Sequence, residues 1–311
     1  MCFFLPSGQV CLDDSTKANL LNETFSKVFL KKDETSNIPS LQISNSFITP
    51  SMFYEISEHD VLNAIRQLKN TVSRTPDSIP SFFVKKTQSQ LLRPLRIIFN
   101  HSILLGKLPT FWKQAIVVPL YKKGKTHDPR NYRPVSLTSV ICRILEKILH
   151  IHLSFHLLSN NCISKTQHGF IAGRSTQTQQ IHFLNMLTQM YDDKTQMEIV
   201  YLDFSKAFDK VSHTKLLHIL FHFKVNHKVI LWITDYLTER SQKTVIGNSF
   251  SDSIQVTSGV PQGSVLGPLL FLVYIEDLIR TIESECNNTF IYAYADDVKL
   301  LSVDHSNLQK A

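Results

Sequence analysis

Phe290-Ile-Tyr-Ala-Tyr-Ala-Asp-Asp-Val-Lys-Leu-Leu301 decides how this chain is read. Two short apolar runs, Phe290 to Tyr294 and Val298 to Leu301, flank Ala295-Asp296-Asp297. Runs of that length around an Asp-containing turn predict a β-hairpin with both acids at its tip. Upstream, Glu198 to Leu202 reads as a short buried strand that ends at Asp203. If the hairpin pairs beside that strand, three carboxylates converge at one sheet edge. Carboxylates held together repel and raise one another's pKa, a conflict that a divalent cation removes. Oxygen-only ligands favour Mg²⁺, with Mn²⁺ as a second candidate. Two such ions roughly 3.5–4 Å apart can activate an attacking hydroxyl and stabilise a leaving phosphate oxygen. Either motif alone is ordinary turn chemistry; their company is what carries weight.

Between them lies Ser258-Gly-Val-Pro-Gln-Gly-Ser264, a loop leading into a helix with Pro268 near its start. Gly263 lets backbone approach a ligand, and Gln262 offers an amide to a base or sugar. Helices are expected near Thr214 to Phe223 and His227 to Leu237, and strands near Lys243 to Ile246 and Ser253 to Val256. Further upstream, Ala115 to Tyr121 is a strand, with Pro119 tolerated if it lies at an edge. Val140 to Leu158 is a helix, and Ser175-Thr176 caps another. Ser57-Glu-His-Asp60 is a capping box, Thr75-Pro-Asp-Ser78 a turn, and Pro80 to Leu105 two helical segments. A helix at Thr16 to Phe29 precedes a polar stretch with Pro39 and Pro50. The order predicts an α+β fold: a split βαβ-like sheet with helices on one face.

With 43% hydrophobic and 19% charged residues in 311, the chain can bury a sizeable core and is not disordered. Its net charge of +7 is uneven. Lys113 to Arg133 carries six bases against one acid, whereas Leu270 to Ala311 carries seven acids against three bases. A polyanion at the first stretch and a cation site in the second would account for the split. Five scattered cysteines without CxxC spacing fit buried thiols in a reducing compartment. The N-terminus lacks a basic n-region, and no apolar run is long enough to span a membrane.

Ile199-Val-Tyr-Leu-Asp-Phe-Ser-Lys-Ala-Phe-Asp-Lys-Val-Ser-His213 resembles the first carboxylate motif of non-LTR retrotransposon reverse transcriptases. Gly259 to Phe271 resembles their Pro-Gln-Gly motif, and Ala293-Tyr-Ala-Asp-Asp297 their doublet motif. Asn131-Tyr-Arg-Pro-Val-Ser-Leu-Thr-Ser139, Leu145-Glu-Lys-Ile148, Gln167-His-Gly-Phe170 and Ser175-Thr176 resemble their finger elements, and the whole looks most like jockey-type elements. The resemblance implies the fingers and palm of a right-hand polymerase that copies an RNA template into DNA from a primer 3′-hydroxyl and dNTPs. Asp203, Asp296 and Asp297 would be catalytic and metal-binding, with two Mg²⁺ ions. Phe208 would stack under the incoming sugar and exclude a 2′-hydroxyl. Lys206 and Ala207 would lie beside the triphosphate, Arg133 with Lys122 or Lys123 would neutralise it, and Gln262 and Gly263 would shape the nucleotide and template pocket.

The resemblance divides the chain into an N-terminal extension (1–55), a helical region leading into the fingers (56–110) and the reverse transcriptase domain (111–311). The thumb is expected to be missing, since the chain stops 14 residues after Asp297. Thr75 to Pro80 lacks the glycines usual in the family's Gly-Pro-Asp-Gly turn. An RNA-dependent RNA polymerase is disfavoured by the bulky Phe208 and by Tyr294-Ala295 before the doublet. A truncated, inactive remnant that at most binds RNA is the alternative function. The expected location is inside the cell, in the nucleus when active and otherwise the cytoplasm.

Overall fold

Capping and pairing side chains punctuate the chain much as its sequence suggests. The structure, a computed structural model, describes residues 3–4, 10–11, 13–30, 55–72, 75–286 and 288–303. The polar stretch with Pro39 and Pro50, and Cys2, lie outside the described residues. Short strands β1 (Phe3–Phe4) and β2 (Val10–Cys11) precede α1 (Asp14–Ser26). Helices α2 (Glu58–Arg66), α3 (Ser81–Lys86) and α4 (Gln88–Leu105) follow. Then come β3 (Gln114–Tyr121), β4 (Tyr132–Leu137), α5 (Val140–Ser159) and α6 (Thr176–Asp192). The second half runs β5 (Glu198–Asp203), α7 (His213–His222), α8 (His227–Leu237), β6 (Arg240–Ile246), β7 (Ser249–Phe250), β8 (Ile254–Val256), α9 (Gly267–Glu285), β9 (Thr289–Tyr294) and β10 (Asp297–Ser302). The Ser57 box forms as expected: its hydroxyl accepts from the Asp60 N–H and the Asp60 carboxylate accepts from the Ser57 N–H.

Two sheets matter for function. One has the order β4-β3-β6-β7, with β8 also on β6; the other has the order β5-β10-β9. In the first, β3 runs antiparallel to β4 over its length but parallel to β6 only from Gln114 to Val117. Pro119 therefore lies beyond the β6 pairing, and its partner on β4 is Pro134. The two ladder residues without an N–H face each other, so the lost donors fall on one rung.

In the second sheet, side-chain alternation assigns the faces. Val298 and Leu300 pack into the main core, which runs from Ile56 to Leu300 and includes α9. Tyr292 and Leu301 pack instead with Phe183 and Met190 of α6. Helices thus cover one face fully and part of the other. Sequence reading made β5 a buried strand, and this is corrected: Tyr201 is 66% and Ile199 37% exposed. Only the even-numbered residues Val200 and Leu202 turn to the core, and α6 does not reach the other face over β5.

Residues 56–110 share that main core with the later helices. The first helix packs on the β3–β6 sheet through Asn22, whose side chain is fully buried. Its amide donates to the Asp252 carbonyl (2.9 Å) and its oxygen accepts from Gln242 (3.0 Å) and Thr244 (3.2 Å). Cys142, Cys162 and Cys286 are buried free thiols, as expected. Among the described residues, no helix is long and apolar enough to cross a membrane.

The Thr75–Ser78 turn does without its glycine by placing Ser78 at φ 53°. Asp77 explains why the turn is kept: its carboxylate accepts from the Ser139 hydroxyl (2.7 Å) and the Val140 N–H (3.0 Å), capping α5 across 62 residues. A left-handed serine costs about 1 kcal/mol, partly offset because glycine loses more entropy on folding. Ser78→Gly is therefore expected to stabilise the chain by roughly 0.5 kcal/mol, read as a higher midpoint in urea. A lower midpoint would show that the hydroxyl supplies more than the strain removes.

Candidate active site

The β5–β10 register makes the site. Asp203, the last residue of β5, lies directly opposite Asp297, the first of β10, and Asp297 in turn faces Tyr294 on β9. The hairpin turn is thus Ala295-Asp296 alone, shorter than the three-residue tip anticipated. Directly opposed residues share a face of the sheet, so two like charges are held side by side. Asp296 stands on the adjoining turn, partly buried. Burial raises its carboxyl above the ordinary carboxylate range, the charges of Asp297 and Asp203 push the same way, and Arg133 pulls against them.

These acids line a cleft of ≈ 630 Å³ that also takes in Lys122, Lys123, Arg133, Lys206, Ala207, Phe208 and Gln262. Ten of the eleven residues singled out from sequence therefore come together. Gly263 does not line the cleft. Its φ of +111° and close approach serve strand β4 instead: a Cβ there would fall 2.6 Å from the Ser136 carbonyl oxygen. The Ser136 N–H donates to the Gln262 carbonyl (2.7 Å), locking loop to strand. The Gln262 side chain is also engaged, its amide donating to Asp209 (2.9 Å). Asp209 is buried, and that burial raises its carboxyl pKa.

Lys206, at φ 56°, turns the chain sharply out of the strand into a short 3-10 turn, Ala207–Lys210. Phe208 stacks on Phe271 (centroids 4.5 Å, planes 14°) and meets Phe170 edge-on (6.1 Å, 86°). Gly259 (φ +86°) packs so tightly beneath this turn that a Cβ would sit 2.8 Å from the Phe208 and Asp209 carbonyl oxygens.

The basic stretch needs one correction. Lys113 does not face the cleft; it is 7% exposed and pairs with Asp235 (3.0 Å) and Glu239 (3.6 Å). Arg130 is tied to Asp128 (2.8 Å). Lys122, Lys123, Lys125 and Arg133 remain exposed.

Sequence reasoning also passed over two buried residues that hold the site. Glu146 accepts from the Val265 and Leu266 N–H groups (2.8 and 3.1 Å), anchoring the loop where it enters α9. Gln167 binds the acid-bearing turn itself. Both sit inside motifs quoted above, which was the available signal.

The donor set suits a hard divalent cation: oxygen only, anionic, and mutually repelling. Among the described residues, no three His, Cys, Asp or Glu side chains already form a group able to hold a metal ion. Asp203, Asp296 and Asp297 border one cleft without already forming such a group. What exists is an open carboxylate edge, the donor number that Mg²⁺ takes from a protein when phosphates supply the rest.

Comparison with known proteins settles the family. The family described as "Reverse transcriptase (RNA-dependent DNA polymerase)" matches residues 121–311. The chain belongs to the reverse transcriptase family. The "Probable RNA-directed DNA polymerase from transposon BS" of Drosophila melanogaster is 28% identical to this reverse transcriptase chain over 95% of its length and 33% of the relative's. The "RNA-directed DNA polymerase from mobile element jockey" of the same organism is 26% identical over 97% of the chain and 34% of the relative. These relatives bear out the resemblance to jockey-like, non-LTR elements. The chain spans about a third of their length. A solved "Partial Cas6-RT-Cas1--Cas2 complex" is similar at 20% identity over 79% of this chain and 37% of that one, with a TM-score of 0.41.

Like charges packed together cost stability when nothing neutralises them. Asp296 has its folded pKa raised, so its contribution to stability is present below the ordinary carboxylate pKa and is lost as pH rises through the folded value. In EDTA at neutral pH, Asp296→Asn is expected to stabilise the chain by roughly 0.5 kcal/mol, and by less near pH 4. Thermal melts at the two pH values test this; a loss of stability at neutral pH would mean that the carboxylate has an unrecognised partner.

Proposed function

We propose that this chain forms the catalytic fingers and palm of an RNA-directed DNA polymerase from a non-LTR retrotransposon. One observation carries the reading: the Asp203–Asp297 register sets an acidic edge across a single cleft from Lys122, Lys123 and Arg133. A nucleotide triphosphate needs both halves, cations on its phosphates and carboxylates at the reacting end.

Asp203 and Asp296 would hold Mg²⁺, with Asp297 completing the acidic set. When bound, the metal supplies Lewis-acid stabilisation of the charge that develops on the phosphate oxygens. The protein's own groups bind and orient. Lys122, Lys123 and Arg133 neutralise the triphosphate from the fingers, while the backbone at Lys206 and Ala207 borders it. The Gln262 amide, fixed on Asp209, contributes shape to the nucleotide pocket rather than a free hydrogen-bonding group. Phe208, clamped by Phe271 and Phe170, presents a ring that cannot retreat, and a rigid ring excludes a 2′-hydroxyl where a mobile one would yield. An RNA template, a DNA primer and dNTPs are the partners, and with DNA as primer the work is done in the nucleus.

Primer extension on an RNA template with dNTPs and Mg²⁺ tests the reading. Asp203→Asn should cut extension by about 100-fold or more. Phe208→Ala should keep DNA synthesis but admit ribonucleotides. Wild-type extension by Asp203→Asn would overturn the assignment. Unchanged sugar discrimination in a folded Phe208→Ala protein would leave that ring a packing role only.

A further inference from the structure

The turn that carries Asp296 has an unusual backbone. Ala295 lies at φ 55°, a left-handed conformation that non-glycine residues seldom adopt. A two-residue hairpin turn asks for a positive φ at its first residue, alanine adopts it only at a cost, and contacts from one outside segment hold it in place. The Gln167 Oε1 accepts both the Ala295 N–H and the Gly169 N–H, each at 2.8 Å. Its Nε2 donates to the Ala295 carbonyl at 3.4 Å. Two N–H donors meeting one atom require that atom to be oxygen, so the amide orientation follows from its partners.

Gln167 is fully buried, and on losing it the Ala295 N–H would be left without water or protein to accept it. Gly169 presses on the same turn: a Cβ there would lie 2.3 Å from the Ala295 nitrogen. The segment is itself anchored. His168 N–H donates to the Ala293 carbonyl (2.8 Å) and Ala293 N–H to the Thr166 carbonyl (3.1 Å), extending the sheet past β9. The Arg174 guanidinium gathers the Ser164, Lys165 and Gln167 carbonyls.

We infer that Gln167 is a positioning residue for the polymerase site, fixing the Ala295-Asp296 turn so that Asp296 stands beside the Asp203–Asp297 pair. It is buried outside the cleft lining and acts through the backbone of Ala295. The inference rests on the polymerase reading above. A misplacement of about 1 Å at a reacting centre can cost ~10²-fold in rate, and groups behind metal ligands are commonly worth 10–100-fold in metal affinity or activity.

The test uses the chain in its full natural polypeptide, with Mn²⁺ binding followed by the EPR signal of the free ion and, separately, primer-extension kinetics. Gln167→Met keeps the shape and removes both acceptor bonds. It should weaken Mn²⁺ binding about tenfold and lower kcat by about 10–100-fold, with the KM for dNTP little changed. If the Met variant does not fold, Gly169→Ala carries the test, since it displaces the same turn without removing the amide, and it should weaken Mn²⁺ binding likewise. Wild-type Mn²⁺ affinity and kcat in a folded Met variant, or in Gly169→Ala if the Met variant does not fold, would overturn the inference. Asp296→Asn separates the two ideas: if it extends primers normally the polymerase reading fails, whereas if it is dead while Gln167→Met is unimpaired only the positioning inference fails.

Discussion

Like charges forced together are the constraint on which this fold turns. Antiparallel pairing of β5 with β10 sets Asp203 against Asp297, and the two-residue turn adds Asp296 beside them. Left alone, such an edge would relax by sliding a strand, but a one-residue slip would also turn Val298 and Leu300 out of the core. The apolar face of the sheet therefore holds the polar face in an arrangement it would not choose. That stored repulsion is what makes the edge receptive to a divalent cation.

Around the acids, the cleft is built by loops locked to neighbours far away in sequence. The Ser258–Ser264 loop is joined to the turn after β5 by two backbone bonds, Gly259 N–H to Val211 and Val260 N–H to Phe208. It is joined to β4 through Ser136 and to α5 through Glu146. From the other side the Ser258 hydroxyl accepts the Leu30 N–H, so residues just past α1 brace the same loop. Strand β4, helix α5, the turn after β5 and the residues just past α1 meet at one short segment. A rigid pocket follows from that arithmetic of bonds, since no single element can move without breaking contacts to the rest.

Much of this was legible in the chain itself, because local chemistry and motif spacing carry it. The hairpin, the Ser57 cap, Pro119 beyond the β6 pairing and ten of the cleft residues needed only short-range patterns. What escaped was long-range pairing. Nothing near Lys113 signals that Asp235 will bury it, so its charge was credited to the wrong surface. Gly263 reads as a ligand-facing glycine, yet the atom it must clear belongs to Ser136. β5 looked buried because Ile199, Val200 and Leu202 are apolar; its exposure alternates because the core takes Val200 and Leu202 while α6 covers Tyr292 and Leu301 on the other face but no residue of β5. Gln167 is polar and lies in a loop, features that suggest solvent, and its full burial depends on a hairpin folded from the far end of the chain.

The central claim is that the acidic edge and the basic fingers hold one metal–nucleotide complex between them. A crystal structure with Mn²⁺ and a non-hydrolysable dNTP, phased on manganese anomalous scattering, tests it most directly. The account predicts manganese in contact with Asp203 and Asp296, with the triphosphate reaching across to Lys122, Lys123 and Arg133. Manganese and nucleotide bound away from Asp203, with the cleft left free, would contradict it.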